Sequence, residues 1–255
     1  MLIDTHAHLD DKRFDGDRED VIKQLRQDGV DLVINPGADI TSSHKAVELA
    51  RAYDFIYAAV GVHPQDAARF DEGQLRELEK LAHEDKVVAI GEIGLDYHYD
   101  EPSRDVQIAC FKKQLKLAEQ LDLPVIIHDR DAHGDVMEIL KARGKKQKGV
   151  LHCFSGSAEI AKECMKLGYL ISFTGNITFK NARRLVEVVK AIPIEKIMIE
   201  TDSPYLTPEP HRGERNYPGN VRYVAQKIAE IKGMQYDDVV HVTGHNAVKL
   251  FGLEA

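Results

Sequence analysis

The chain has 255 residues, 43% of them hydrophobic, and a formal net charge of −8. That length matches the ~250 residues a single α/β barrel usually takes, and no run approaches the ~18 consecutive apolar residues that would span a membrane. An acidic balance argues against a protein that coats duplex nucleic acid, because such proteins pair backbone phosphates with a Lys- and Arg-rich face; a phosphate partner would have to be met locally.

In chain order, short and mostly apolar runs recur at Leu2–Thr5, Asp31–Asn35, Phe55–Val60, Val87–Gly91, Pro124–His128, Val150–Cys153, Tyr169–Phe173 and Lys196–Glu200. They lack the alternation of half-exposed strands and suit parallel strands covered on both faces. Helical patterns separate them. Ser103 opens one whose stripe is Ile108, Phe111, Leu115 and Ala118. Ser157 opens another, with Ile160, Ala161, Cys164 and Leu167 in phase and Gly168 closing it. Val221, Val224, Ile228 and Ile231 precede Gly233, and a last helix ends at Leu250-Phe251-Gly252. Eight strand–helix units imply a parallel sheet with right-handed crossovers, and in this length a closed (β/α)₈ TIM barrel of the α/β class, one domain over residues 1–255. The opening Met1-Leu2-Ile3-Asp4 has no basic start or long apolar stretch, so no secretory leader is expected. Cys110, Cys153 and Cys164 form no Cys-x-x-Cys pair, which suits a reducing, cytoplasmic setting.

Barrel chemistry sits at the C-terminal ends of strands, and histidine or carboxylate marks six of the eight ends here. They are His6 and His8 after the first run, His63 after the third, Glu92 after the fourth, His128 in the fifth, His152 in the sixth and Asp202 after the eighth. The opposite ends carry ordinary lysines, Lys86, Lys148 and Lys196. Imidazole and carboxylate are ligands of borderline divalent metals. His6, His8, Glu92, His128, His152 and Asp202 are too many for one catalytic ion that must also hold water. They suit two ions ~3.5–4 Å apart with a bridging carboxylate, for which Glu92 is the natural residue. His44, His83, His133, His241 and His245 fall on helical or exposed stretches and are read as structural. His63 lies at the mouth beside Pro64 and Gln65, which suggests a loop contacting substrate rather than a ligand; His98 lies several residues beyond Glu92, and a substrate contact is its lesser reading.

The segment from Ser203 to Pro218, rich in proline, is expected to be stiff and extended. It carries Arg212 and Arg215, fork-shaped donors suited to phosphate, and Arg130 follows His128 at the same rim. The most basic run, Lys141 to Lys148, precedes the sixth strand and so belongs to the far face. Among nine Tyr, eight Phe and no Trp, no platform for stacking single-strand bases stands out.

Five segments together resemble the TatD family of metal-dependent hydrolases, within the amidohydrolase-like barrels. They are Leu2-Ile3-Asp4-Thr5-His6-Ala7-His8-Leu9-Asp10, Ala89-Ile90-Gly91-Glu92-Ile93-Gly94-Leu95-Asp96-Tyr97, Pro124-Val125-Ile126-Ile127-His128-Asp129-Arg130, Leu151-His152-Cys153-Phe154-Ser155-Gly156 and Ile199-Glu200-Thr201-Asp202-Ser203-Pro204. The resemblance implies that His6, His8, Glu92 and Asp202 hold one ion and that Glu92, His128 and His152 hold the other. It also implies an exonucleolytic deoxyribonuclease. The expected catalytic residues are Asp202 and Glu92, and the expected substrate contacts His63, Arg130, Arg212 and Arg215. The expected partner is DNA, as single strands or ends, with no membrane and no obligate protein partner. The cofactors would be two divalent ions drawn from Mg, Mn, Zn, Fe or Ni. The alternative is the same site acting on an ester, an amide or a small phosphoester.

Overall fold

Each apolar run becomes a strand, and the strands pair in the order in which they occur. The computed structural model describes residues 1–254. It orders β1 (Leu2–Asp4), α1 (Arg18–Gln27), β2 (Val30–Pro36), α2 (Ile40–Ala52), β3 (Ile56–Val60), α3 (Glu72–Leu81), β4 (Val87–Asp96) and α4 (Arg104–Gln120). There follow β5 (Val125–Arg130), α5 (His133–Arg143), β6 (Gly149–Leu151), α6 (Ala158–Lys166), β7 (Leu170–Phe173), α7 (Arg183–Ala191), β8 (Ile197–Ile199), α8 (Val221–Lys232) and α9 (Tyr236–Phe251). The eight strands form one parallel sheet in sequential order. The seam between β8 and β1 closes through the Thr5 amide to the Ile199 carbonyl (3.2 Å), the Asp202 amide to the His6 carbonyl (2.8 Å) and a parallel bridge between Ala7 and Ser203. The result is a (β/α)₈ barrel.

Strand residues such as Ile34, Ala58, Ile90, Ile126 and Phe173 are fully buried, sealed inside by the barrel and outside by the helix layer. That two-sided cover is why the runs are continuously apolar. Helix starts follow side-chain capping. Asp39 and Ser42 make a reciprocal capping box on α2, Asp71 accepts the Gln74 amide at 2.8 Å on α3, and Ser157 accepts the Ile160 amide on α6. Ser103 stands at the start of α4 but makes no capping bond. Gly233 and Gly252 end α8 and α9 in the left-handed conformation, at φ 65° and 64°.

The chief departure from the sequence reading is β4. A strand ending at Gly91 is expected, because glycine usually punctuates; instead β4 runs on to Asp96. At Gly94, with φ 152°, a β-carbon would run into the His128 carbonyl, so the missing side chain lets β4 lie against β5 rather than ending it. Glu92 therefore sits inside a rigid strand. The basic run from Lys141 to Lys148 ends α5 and leads into β6, at the end of the barrel away from the histidines.

Candidate metal centre

The strand ends bring His6, His8, Glu92, His128, His152 and Asp202 into one cluster, with His6, Glu92 and His152 buried and His8, His128 and Asp202 partly open to the cavity, and with Glu92 at its middle. One carboxylate oxygen, Oε2, faces His6 Nε2 at 3.3 Å and His8 Nε2 at 3.7 Å. The other, Oε1, faces His128 Nδ1 at 2.7 Å, His152 Nε2 at 2.8 Å and His63 Nε2 at 3.7 Å. Asp202 Oδ1 lies 3.5 Å from His8 Nε2 and 3.8 Å from His6 Nε2. His6 and His152 stack with ring centroids 3.9 Å apart. Asp202 has φ 54°, uncommon for a residue with a β-carbon. Its backbone is pinned there by the bond to the His6 carbonyl and by the Tyr205 amide donating to its own carbonyl at 2.9 Å.

Two carboxylates that stand outside this cluster orient its rings, and the sequence reading does not single them out. Glu200 Oε1 accepts from His152 Nδ1 at 3.1 Å and from the Cys153 amide at 2.6 Å. Asp96 Oδ2 lies 3.3 Å from His128 Nε2 and also accepts from Gln65 Nε2 at 3.2 Å. A proton held on the outer nitrogen leaves the inner lone pair of each ring aimed at the centre. Deeper still, Asp4 accepts from the Thr201 amide (2.9 Å), the Thr201 hydroxyl (2.5 Å) and the His6 amide (3.2 Å), tying the ends of β1 and β8 together. The signal for all three lay in the sequence as acidic residues within otherwise apolar strand segments.

These residues suit a cation. His6 Nε2 and His8 Nε2 face each other at 3.2 Å, a poor arrangement for two rings that each prefer a separate partner, and His6 Nδ1 is buried with no hydrogen-bond partner among the described residues. Burial disfavours the charged form of Glu92, yet the facing His152, His6 and His63 outweigh it and hold its carboxyl well below the usual range. Burial also opposes charge on His8, but the Asp202 and Glu92 carboxylates overcome it and raise its pKa to about 9. Burial together with His128 pushes His63 down to about 3, leaving a neutral ring whose Nδ1 accepts from the Gln65 amide at 3.2 Å. Carboxylates that draw protons onto buried imidazoles would hold a divalent cation in their place. Three sets of donor atoms lie close enough to share an ion: His6, His152 and Asp202; His6, His8 and Glu92; and His63, Glu92 and His128.

The cluster floors an open cavity of about 670 Å³. Arg130 lines it and has no carboxylate partner among the described residues. His63 lines it too, its ring 4.4 Å from that of His128, so it meets the cluster itself as well as the space above. Arg212 and Arg215 do not reach the cavity. Arg212 lies over the Phe179 ring, 3.9 Å from its centroid. Arg215 is forked onto Asp17, with Nη1–Oδ1 at 2.9 Å, and donates to the Arg13 carbonyl. The physical reason is the loop after β8. It is a series of turns rather than the expected extended strap, with the His211 amide on the Pro208 carbonyl and Thr207 Oγ1 on the Glu214 carbonyl, and these fold its arginines outward. His98 is half exposed and pairs with Asp131 rather than the cluster.

A family model described as TatD related DNase matches residues 3–252. The chain belongs to the TatD family. Among its TatD relatives, an uncharacterized metal-dependent hydrolase of Bacillus subtilis, YabD, is 48% identical over 98% of this chain and 99% of its own. The Escherichia coli hydrolase YcfH, also described as uncharacterized and metal-dependent, is 35% identical over 100% of this chain and 97% of its own. The crystal structure of the TatD homologue YjjV from Escherichia coli superposes with a TM-score of 0.94 at 33% identity, covering 99% of this chain and 98% of that one. As a TatD protein, the chain is a metal-dependent hydrolase with a buried histidine–carboxylate cluster.

Proposed function

We propose that this hydrolase cleaves phosphodiester bonds at DNA ends, using two divalent ions held by His6, His8, Glu92 and Asp202 on one side and by Glu92, His128 and His152 on the other. The observation that carries the reading is Glu92, whose two oxygens face separate sets of imidazoles, as a carboxylate shared between two ions must. The family description as DNase-related supports the substrate class. An unpaired guanidinium on Arg130 at the rim supports a phosphate rather than an acyl group.

Divalent cations at these positions supply Lewis acidity to the scissile phosphate and lower the pKa of water at the site. The protein does the rest. Glu200 and Asp96 hold the rings of His152 and His128 in register. Arg130 binds a non-bridging phosphate oxygen. Asp202, kept below the usual carboxylate range because the His8 hydrogen bond and the nearby His152 and His6 outweigh its burial, is ionised at neutral pH and takes the proton of the attacking water. The water oxygen forms the new bond to phosphorus, the bond to the leaving nucleotide oxygen breaks, and the Asp202 proton passes to that oxygen. A cytoplasmic setting fits this role; among the described residues no helix is long and apolar enough to cross a membrane.

The test is digestion of end-labelled single-stranded DNA with added Mg, Mn or Zn, beside metal counting on the same protein. Stepwise shortening that needs the ion, with two ions bound per chain and both activity and ions lost in Glu92→Ala, is expected. Protein that carries two ions and hydrolyses acyl esters but no DNA would refute the phosphodiester reading and leave the metal centre intact.

A further inference from the structure

Among the described residues only four large hydrophobic side chains are exposed: Met1, Tyr99, Val106 and Tyr205. The two aromatic ones, 52% and 49% exposed, both line the cavity above the metal centre. They stand on opposite rims. Tyr99 follows β4 and Tyr205 follows β8, half a turn apart around an eight-stranded barrel, and Glu92 and Asp202 line the same cavity. Scattered exposed aromatics need no explanation, but two that line one site from opposite strands do.

We propose that Tyr99 and Tyr205 are stacking platforms for the nucleobases on either side of the scissile phosphate. The inference rests on the phosphodiesterase reading above. Tyr205 is backed by Arg13, whose guanidinium carbon lies 4.0 Å from the ring centroid, and Arg13 is itself forked onto Asp11 at 2.9 and 2.7 Å. His8 meets the Tyr205 ring edge-on, at 84°. The ring is therefore steadied from one side and from its edge, while half of the side chain stays open. Tyr99 has the same surroundings in looser form, with His98 edge-on at 88° and the Arg130 carbon 5.7 Å from its centroid.

Charge points the same way. Asp10, Asp11, Asp66, Asp96 and Asp129 line the cavity against Arg130 as its one arginine, so tracking a phosphate backbone cannot supply much affinity. Base stacking can, and it tolerates any sequence because every base has a π face. A base inside a duplex is covered by its neighbours and its partner, so two flanking bases reach both rings only when splayed apart. A paired end must fray before it is cut.

The experiment measures KM and kcat of the metal-loaded enzyme on single-stranded oligonucleotides, for wild type, Tyr99→Ala, Tyr205→Ala, Tyr99→Phe and Tyr205→Phe. Both rings are exposed, and circular dichroism checks that the variants fold. Each alanine is expected to raise KM about tenfold, and phenylalanine to restore it to within about twofold. An abasic residue on one side of the cleaved bond should raise the wild-type KM by a similar factor, with no further rise in the alanine variant of the matching side. Unchanged KM in both alanine variants on strands the wild type digests overturns the stacking role while leaving the nuclease. Equal loss in alanine and phenylalanine variants also overturns it, assigning the effect to the hydroxyls. Wild type that digests no strand removes the phosphodiesterase reading and this proposal with it.

Discussion

Glu200→Gln isolates the orienting role of an outer carboxylate without touching a residue of the inner cluster. Glu200 is fully buried; its Oε1 accepts from both His152 Nδ1 and the Cys153 amide, and its Oε2 has no partner among the described residues. Glutamine keeps the shape but makes both bonds neutral, and puts an amide NH₂ where no acceptor waits. Hydrogen bonds to a charged group contribute ~1.5–3 kcal/mol and neutral ones ~0.5–1.5, so two of them lose ~2 kcal/mol in sum. For a chain of this size that lowers Tm by about 4–8 °C. The specific effect is on the ring. With no carboxylate to keep the proton on Nδ1, His152 can turn or change tautomer, and metal affinity should fall about 10–100-fold, or about 1.4–2.7 kcal/mol. Competition against a chromophoric chelator reads the affinity, and a thermal melt of the metal-free protein reads the stability. A lowered Tm with affinity unchanged would refute the reasoning, because Glu200 would then be a strut for the Cys153 turn and nothing more.

Three further expectations follow from the same geometry. Arg130→Ala should raise KM for a phosphodiester several-fold, whereas Arg215→Ala should leave KM alone and cost under about 1 kcal/mol, since its pair with Asp17 is largely exposed; equal kinetic effects would show that the loop after β8 swings over the mouth. Gly94→Ala should cost at least about 3 kcal/mol, because the added carbon meets the His128 carbonyl and the backbone is at φ 152°; a urea midpoint close to wild type would contradict the close approach of β4 and β5. Asp11, hydrogen-bonded by Arg13, has its pKa lowered from 3.8 to about 2. A depressed acid contributes stability that is present above the unfolded pKa and is lost as pH falls through the folded one. The stability gap between wild type and Asp11→Asn should therefore be constant above pH ~5 and close between pH ~4 and ~2. A gap that persists to pH 2 would place the effect in packing.

Much of the barrel is legible in the chain because each strand is buried on both faces and each helix on one, and burial writes a local pattern of apolar residues. Seven of the eight strands fall within a residue or two of their apolar runs. β4 does not, because its length depends on what lies beside it: Gly91 and Gly94 read locally as breaks, and only contact with Ile126 and His128 makes them the means of continuing. The six histidines and carboxylates of the cluster were visible for a related reason. Polar residues ending apolar strands are costly without partners, and in a parallel barrel all strand ends meet at one mouth.

What the chain alone left open is what depends on direction and on distant partners. Arg212, Arg215 and Arg130 are alike as letters. Asp17 and Phe179, far away in sequence, draw the first two outward, while Arg130 finds no carboxylate among the described residues and lines the cavity. Asp96 and Glu200 stand out as acidic residues in apolar segments, but their partners were fixed only when β5 and β6 brought the outer nitrogens of His128 and His152 within reach. Tyr99 and Tyr205 are two of nine tyrosines, and only closure of the barrel brings both to one cavity. Residue type and spacing determine which groups arrive at the mouth, because burial is a local demand; which way each one points is decided by long-range pairing, because orientation is set by partners that the sequence keeps far apart.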